Sequence, residues 1–243
     1  MSNAQILWDN WSKFDDLDSV YRQGFFKIRA YGCPNRDIEN AVRADSVLTH
    51  SSRAAMLLSD IMDLWPSYYQ DVDKYAALKV MLGHDIAEVA IGDICDDGRK
   101  EHEEKKDVER QIVWEHYYNS MSENAYMLYR NIFQEFEQAD TLLGQTLKMA
   151  DKLDFIAKLI KLESQGYKLD NTLFYSDNDL ILAEEINDYR FIDVVSNHFR
   201  HGMEECNFDQ RLVQIAISFI TCGLRTINRP FFEWWPIPAE ISY

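Results

Sequence analysis

The reading of this chain turns on Val80-Met81-Leu82-Gly83-His84-Asp85-Ile86-Ala87-Glu88-Val89-Ala90-Ile91-Gly92-Asp93-Ile94. Two adjacent polar groups, His84 and Asp85, close a run that is apolar on nearly every side: Ala76, Ala77, Leu78, Val80, Met81, Leu82. That pattern predicts a helix from Val72 to Ile86, buried on most faces. A shorter stretch, 87–94, follows and stops at Gly92. An ionised Asp in such surroundings is strongly destabilised unless something offsets its charge. A bound cation would do so, and so would an ion pair or a helix cap.

Working outward, other polar groups sit where apolar ones are expected. From Ser46 to Trp65, Val47, Ala54, Leu57, Leu58, Ile61 and Trp65 recur at helical steps, with Asp45 or Ser46 as cap and Pro66 as the stop. His50 falls on that stripe and should face inward. A core histidine with satisfied hydrogen bonds would look the same. Asp151 lies in Leu147-Lys148-Met149-Ala150-Asp151-Lys152-Leu153-Asp154, on or beside the inner face of a helix expected over 141–165. Its ordinary alternative is an intrahelical salt bridge with Lys148. Together, two imidazoles and two carboxylates from inward positions make an N2O2 set suited to Mn, Fe, Co, Ni or Zn more than to Ca.

The rest of the chain supports an all-α fold. Gly and Pro number only 9 and 5 in 243 residues, too few for the frequent turns of a sandwich or barrel. Residues 16–31 read as a short mixed segment, 32–45 as a loop, and 100–110 as a charged, solvated helix face. Further helices are expected over 122–137, 184–200 and 209–227, with a polar loop over 168–180. The aromatic, Pro-rich tail 229–243 reads as an arm lying on the core. A single domain, 1–243, is the simplest organisation, with a core over about 25–166 and a C-terminal helical extension and arm over about 167–243.

Composition narrows the functions. A net charge of -16 argues against a nucleic-acid polymer as partner, because phosphate backbones are bound mainly by Lys and Arg. Cys33, Cys95, Cys206 and Cys222 form no CxxC pair and read as ordinary thiols of a reducing compartment. No signal peptide and no membrane span is apparent, so the expected location is cytoplasmic. The pair His198 and His201 has no carboxylate spaced with it and reads as an exposed helix end. No Walker, Rossmann or GxSxG pattern occurs.

The order His … His-Asp … Asp resembles the HD-domain phosphohydrolases, and the surrounding blocks resemble their YfbR-like 5'-deoxynucleotidase branch. Asp45-Ser46-Val47-Leu48-Thr49-His50 matches the branch's acidic, small polar, Val and His pattern, with Thr49 where the branch carries an acidic residue. Glu88 and the Gly92-Asp93 pair match the continuation of its His-Asp block, and Lys148-x-x-Asp151-x-Leu153 matches its last ligand block. The resemblance implies an HD-domain helical bundle and one divalent transition metal (Mn, Co, Fe, Ni or Zn, with Mg admissible) on His50, His84, Asp85 and Asp151. It implies that Glu88 orients or deprotonates the attacking water and that Asp93 assists the leaving sugar oxygen. Read from the residues alone, Glu88 and Asp93 are equally surface carboxylates near a turn. The branch's phosphate- and base-contacting Arg-aromatic element has Arg36 and Arg43 as its nearest counterparts. The implied substrate is a small phosphorylated molecule, a nucleoside or deoxynucleoside 5'-monophosphate, and a homodimer is a family-level expectation. Another phosphate ester, a triphosphate or a cyclic dinucleotide would suit the same site, as would a nucleotide-binding regulator with little turnover.

Overall fold

The structure is a computed structural model that describes residues 20, 28–30, 45–91, 108, 110–117, 120–164, 172–174, 208–225 and 227. Helix α1, Val47–Leu64, opens on Ser46, whose side chain accepts from the Thr49 amide. It ends at Trp65, where Pro66 begins a short 3-10 turn, Pro66–Tyr68. Val47, His50, Ser51, Ala54, Ala55, Leu58, Ile61 and Met62 form its buried face. Leu58, rather than Leu57, carries the stripe.

Helix α2, Lys74–Gly83, is capped by Asp73, whose carboxylate accepts from the Ala76 amide. The expected helix over 72–86 is thus shorter at both ends. Residues 84–87 are a turn, held by Ile86 N–H to Gly83 O at 3.1 Å and Glu88 N–H to Asp85 O at 2.9 Å. These three-residue bonds wind the chain more tightly than an α-helix, and residues three apart come to lie over one another. A short helix, α3, spans Glu88–Ile91.

After a π-helical turn, Val113–Tyr117, comes α4, Glu123–Gln138, capped by Ser122. Helix α5, Leu142–Ser164, follows within a few residues, and α6, Gln210–Arg225, is the last helix among the described residues. The link between α4 and α5 is tight. Ala139 takes a left-handed conformation, φ 52°, and its N–H returns to Glu135 O at 2.7 Å. A Cβ on Gly144 would fall well inside van der Waals contact with the Glu135 carbonyl oxygen and 3.1 Å from Ala139 Cα. Only glycine lets the two helices approach this closely.

Helix α1 packs on α2 and α5, α5 also on α4 and α6, and α2 on α4. The core they enclose includes Leu58, Met62, Met81, Leu147, Met149 and Leu153, all fully buried. On α6, Leu212, Ala216, Ile220 and Leu224 recur every fourth residue, each fully buried. No described helix is long and apolar enough to cross a membrane.

Two segments differ from the expectation. Ile28–Ala30, in the stretch read as short and mixed, is strand β1. Thr172–Phe174, in the stretch read as a loop, is strand β2, and the two pair antiparallel. Three residues are too few for an alternating pattern to show, and such strands exist through their pairing. The helix expected over 184–200 and the arm over 229–243 lie outside the described residues.

Candidate metal centre

Three elements deliver the expected ligands. His50 stands one turn into α1, His84 and Asp85 open the tight turn after α2, and Asp151 lies midway along α5. Their ligand atoms converge. One atom each from His50, His84 and Asp85 lies within 4.8 Å of the others. Asp151 Oδ1 is 2.9 Å from His50 Nε2 and 3.7 Å from His84 Nε2. Asp85 Oδ2 is 3.2 Å from His84 Nε2 and 3.7 Å from His50 Nε2. The imidazoles are nearly buried, at 1% and 3% side-chain exposure, and the carboxylates are open to 17% each.

The hydrogen bonds on the far sides of the rings decide the chemistry here. His84 Nδ1 lies 2.7 Å from the Met81 carbonyl oxygen, which only accepts, so Nδ1 carries the proton. Its Nε2 then points a lone pair at two carboxylates, and that buried atom has no hydrogen bond. At His50 a carboxylate meets each ring nitrogen, Asp154 Oδ2 at 2.7 Å from Nδ1 and Asp151 Oδ1 at 2.9 Å from Nε2; with the proton on Nδ1, Nε2 faces the same point with its lone pair. Two lone pairs and two anionic oxygens facing one point repel unless a proton or a cation sits among them. A divalent cation satisfies all four at once, so the donor set fits a metal. The His50 and His84 rings meet edge to face at 5.6 Å, and Phe136 meets His84 likewise at 5.1 Å, so neither imidazole is free to turn.

Electrostatics favour the ionised acids. Burial alone would raise the Asp151 carboxyl, but the His50 and His84 imidazoles beside it, helped by Lys152, hold it well below the usual carboxylate range. At Asp154 burial is likewise outweighed by hydrogen bonds from His50 and Arg53. Lys148, the partner considered for Asp151, instead holds its ammonium 3.8 Å from the Phe136 ring centroid and 4.0 Å from Glu137 Oε1.

Glu88 is buried, at 7% exposure, three residues beyond Asp85 in the tight turn. That winding puts the two carboxylates on one side of the chain. Asp93, Arg36 and Arg43 lie outside the described residues. The sequence marked Asp45 only as a candidate cap and as the acidic start of the first block, and gave no role to Asp154 or Arg53; all three pack behind His50. Arg53 donates to both oxygens of Asp154, Nε to Oδ1 at 2.7 Å and Nη2 to Oδ2 at 2.8 Å, and to Asp45 through Nη1 at 2.7 Å. Arg53 follows His50, and Asp154 follows Asp151, by three residues each. That same-face spacing was the available signal.

The comparisons with known proteins agree with this architecture. The model of the family described as "HD domain" matches residues 35–189. The 5'-deoxynucleotidase HDDC2 of Dictyostelium discoideum is 28% identical over 158 residues, covering 61% of this chain and 81% of that protein. A solved structure titled a predicted metal-dependent phosphohydrolase, from Magnetospirillum magnetotacticum MS-1, shares the fold with a TM-score of 0.54 at 16% identity, covering 93% of this chain and 94% of that one. A conserved hypothetical protein from Pyrococcus furiosus is 23% identical with a TM-score of 0.49, covering 82% and 98%.

Proposed function

The chain belongs to the HD-domain family, and we propose that it hydrolyses nucleoside or deoxynucleoside 5'-monophosphates to nucleoside and phosphate. The observation that carries this reading is the buried His84 Nε2, which faces Asp85 and Asp151 with its lone pair and has no hydrogen bond. A divalent cation would satisfy every group of such a centre at once. The similarity to a 5'-deoxynucleotidase supports this substrate class.

In this reading His50, His84, Asp85 and Asp151 hold one divalent transition metal. When bound, it would lower the pKa of water and polarise the phosphoryl group. Glu88 accepts the proton of the attacking water as the new P–O bond forms. Asp93, protonated at the outset, gives its proton to the sugar O5' as the P–O5' bond breaks. Arg36 and Arg43 offset the substrate's charge, which an acidic protein must do locally.

The test is phosphate release from a panel of nucleoside mono-, di- and triphosphates and cyclic dinucleotides, with Mn, Co, Ni, Zn or Mg added to metal-free protein. Release from 5'-monophosphates, above the other substrates, is expected. Release from none of them with any metal would overturn the enzymatic reading and leave a nucleotide-binding regulator. Glu88→Gln should lower turnover by about 10²–10⁴-fold with metal still bound. Undiminished turnover in that variant would remove Glu88 from the chemistry.

A further inference from the structure

The two imidazoles of the centre are held by different means. His84 rests on a backbone carbonyl, which no side-chain change removes. His50 rests on Asp154, and Asp154 is itself held. Arg53 closes on both its oxygens at 2.7 and 2.8 Å, and the outer edge of the same guanidinium closes on Asp45 at 2.7 and 3.3 Å. Lys158 Nζ reaches Asp45 Oδ1 at 3.3 Å. Asp45 is fully buried and Asp154 is 4% exposed, so the group is two cations balancing two anions with little water around the acids. All five N–H groups of a guanidinium lie in one plane, and forks to two carboxylates fix both in that plane.

We propose that Asp154, Arg53 and Asp45 form a positioning relay that fixes His50 in its Nδ1–H tautomer and presents Nε2 as a metal ligand. Asp154, kept as an acceptor by Arg53, takes the Nδ1 proton. Asp45, just before the Ser46 cap of α1, holds Arg53 from its other side and sets the guanidinium plane. The relay spans α1 and α5, and it aligns the helix bearing His50 with the helix bearing Asp151. It also removes Arg53 from substrate binding. Although the side chain is 35% exposed, its hydrogen-bonding edges are spent on the two acids, and phosphate must be met elsewhere. The proposal rests on the reading that the centre binds a metal.

The experiment measures metal affinity of the metal-free full chain by titration calorimetry with Mn and Zn, and the histidine-ring tautomers by long-range 15N NMR. In Asp154→Asn the amide can donate to Nδ1, which favours the Nε2–H tautomer. The expected result is affinity lower by about 10–100-fold, with the His50 ring signals changed and those of His84 unchanged. Arg53→Met should weaken binding in the same direction, Arg53→Lys should recover part of the loss, and Asp45→Asn should show the smallest effect. A purely structural role would lower thermal stability without moving the ring signals. Asp154→Asn that binds metal as tightly as the parent, with unchanged His50 signals, would overturn the relay. If Asp154→Asn does not fold, equal affinities in the parent, Arg53→Lys, Arg53→Met and Asp45→Asn would overturn it instead. A parent that binds none of the metals refutes the metal reading rather than the relay.

Discussion

Helix α5 is gripped on two sides by opposite means. Toward α1 it presents Asp151, Asp154 and Lys158 to His50, Arg53 and Asp45. Toward α6 it presents Ile160, packed close to Gly223, and α6 answers with the fully buried row Leu212, Ala216, Ile220 and Leu224. A polar bond on that side runs from the Asp209 N–H to Gln145 Oε1, 2.8 Å, where α6 begins. The apolar side gains from burial wherever shapes match. The charged side gains only while each partner stays in place, because removing one leaves a buried charge exposed to its neighbours. A fold can rest on the first kind of seam and place a reactive centre on the second.

This difference can be broken by experiment. Ile220→Ala should cost about 2–5 kcal/mol by loss of burial and a residual cavity, read by denaturant unfolding. Metal at one hundred times its dissociation constant should add about 2.7 kcal/mol to the parent. The same increment should persist in Ile220→Ala, because the apolar seam is not part of the centre. It should shrink in Arg53→Met. An equally reduced increment in both variants would mean that the two seams are not separable.

At the joint between α4 and α5, Gly144→Ala should cost about 1–3 kcal/mol, since a methyl group there must push backbone from backbone. Asp209 offers the smallest effect. Its carboxylate accepts from the Arg211 amide at the start of α6, 2.8 Å, and its hydrogen bonds with the Arg211 side chain hold it below the ordinary value of 3.8. The ionised form is therefore favoured in the fold. Its contribution is complete above 3.8 and is lost as the pH falls through the lower folded value. Asp209→Ala should cost about 1 kcal/mol at neutral pH. That gap should close in acid, and a gap independent of pH would assign the loss to packing.

The apolar seams were legible in the sequence because burial repeats. Leu58 and Ile61, or Ile220 and Leu224, announce a helix face by spacing alone. The helix ends were legible where Ser46, Pro66 and Ser122 stand. Of the centre, the ligand candidates His50, His84, Asp85 and Asp151 could be found one at a time, each with an everyday alternative. The relay could not. Arg53 and Asp154 each look like a solvated charge on an amphipathic helix, and only the packing of α1 on α5 brings them together. The tight turn after Gly83 was hidden for a related reason. Ile86 and Ala87 continue the apolar pattern past His84 and Asp85, so the change in winding has no compositional mark. The ribbon of Ile28–Ala30 with Thr172–Phe174 joins segments too short to carry a period.

The close approach at Gly144 has a consequence for the register of the centre. Glu135, which Gly144 touches, adjoins Phe136, whose ring braces His84, and Asp151 lies two turns beyond Gly144 on a continuous helix. The corner therefore works as a ruler between two ligands. Each residue added or removed between Gly144 and Asp151 would swing the Asp151 carboxylate by about 100° around the axis of α5. Length changes in this protein should accordingly be tolerated in many places before they are tolerated there.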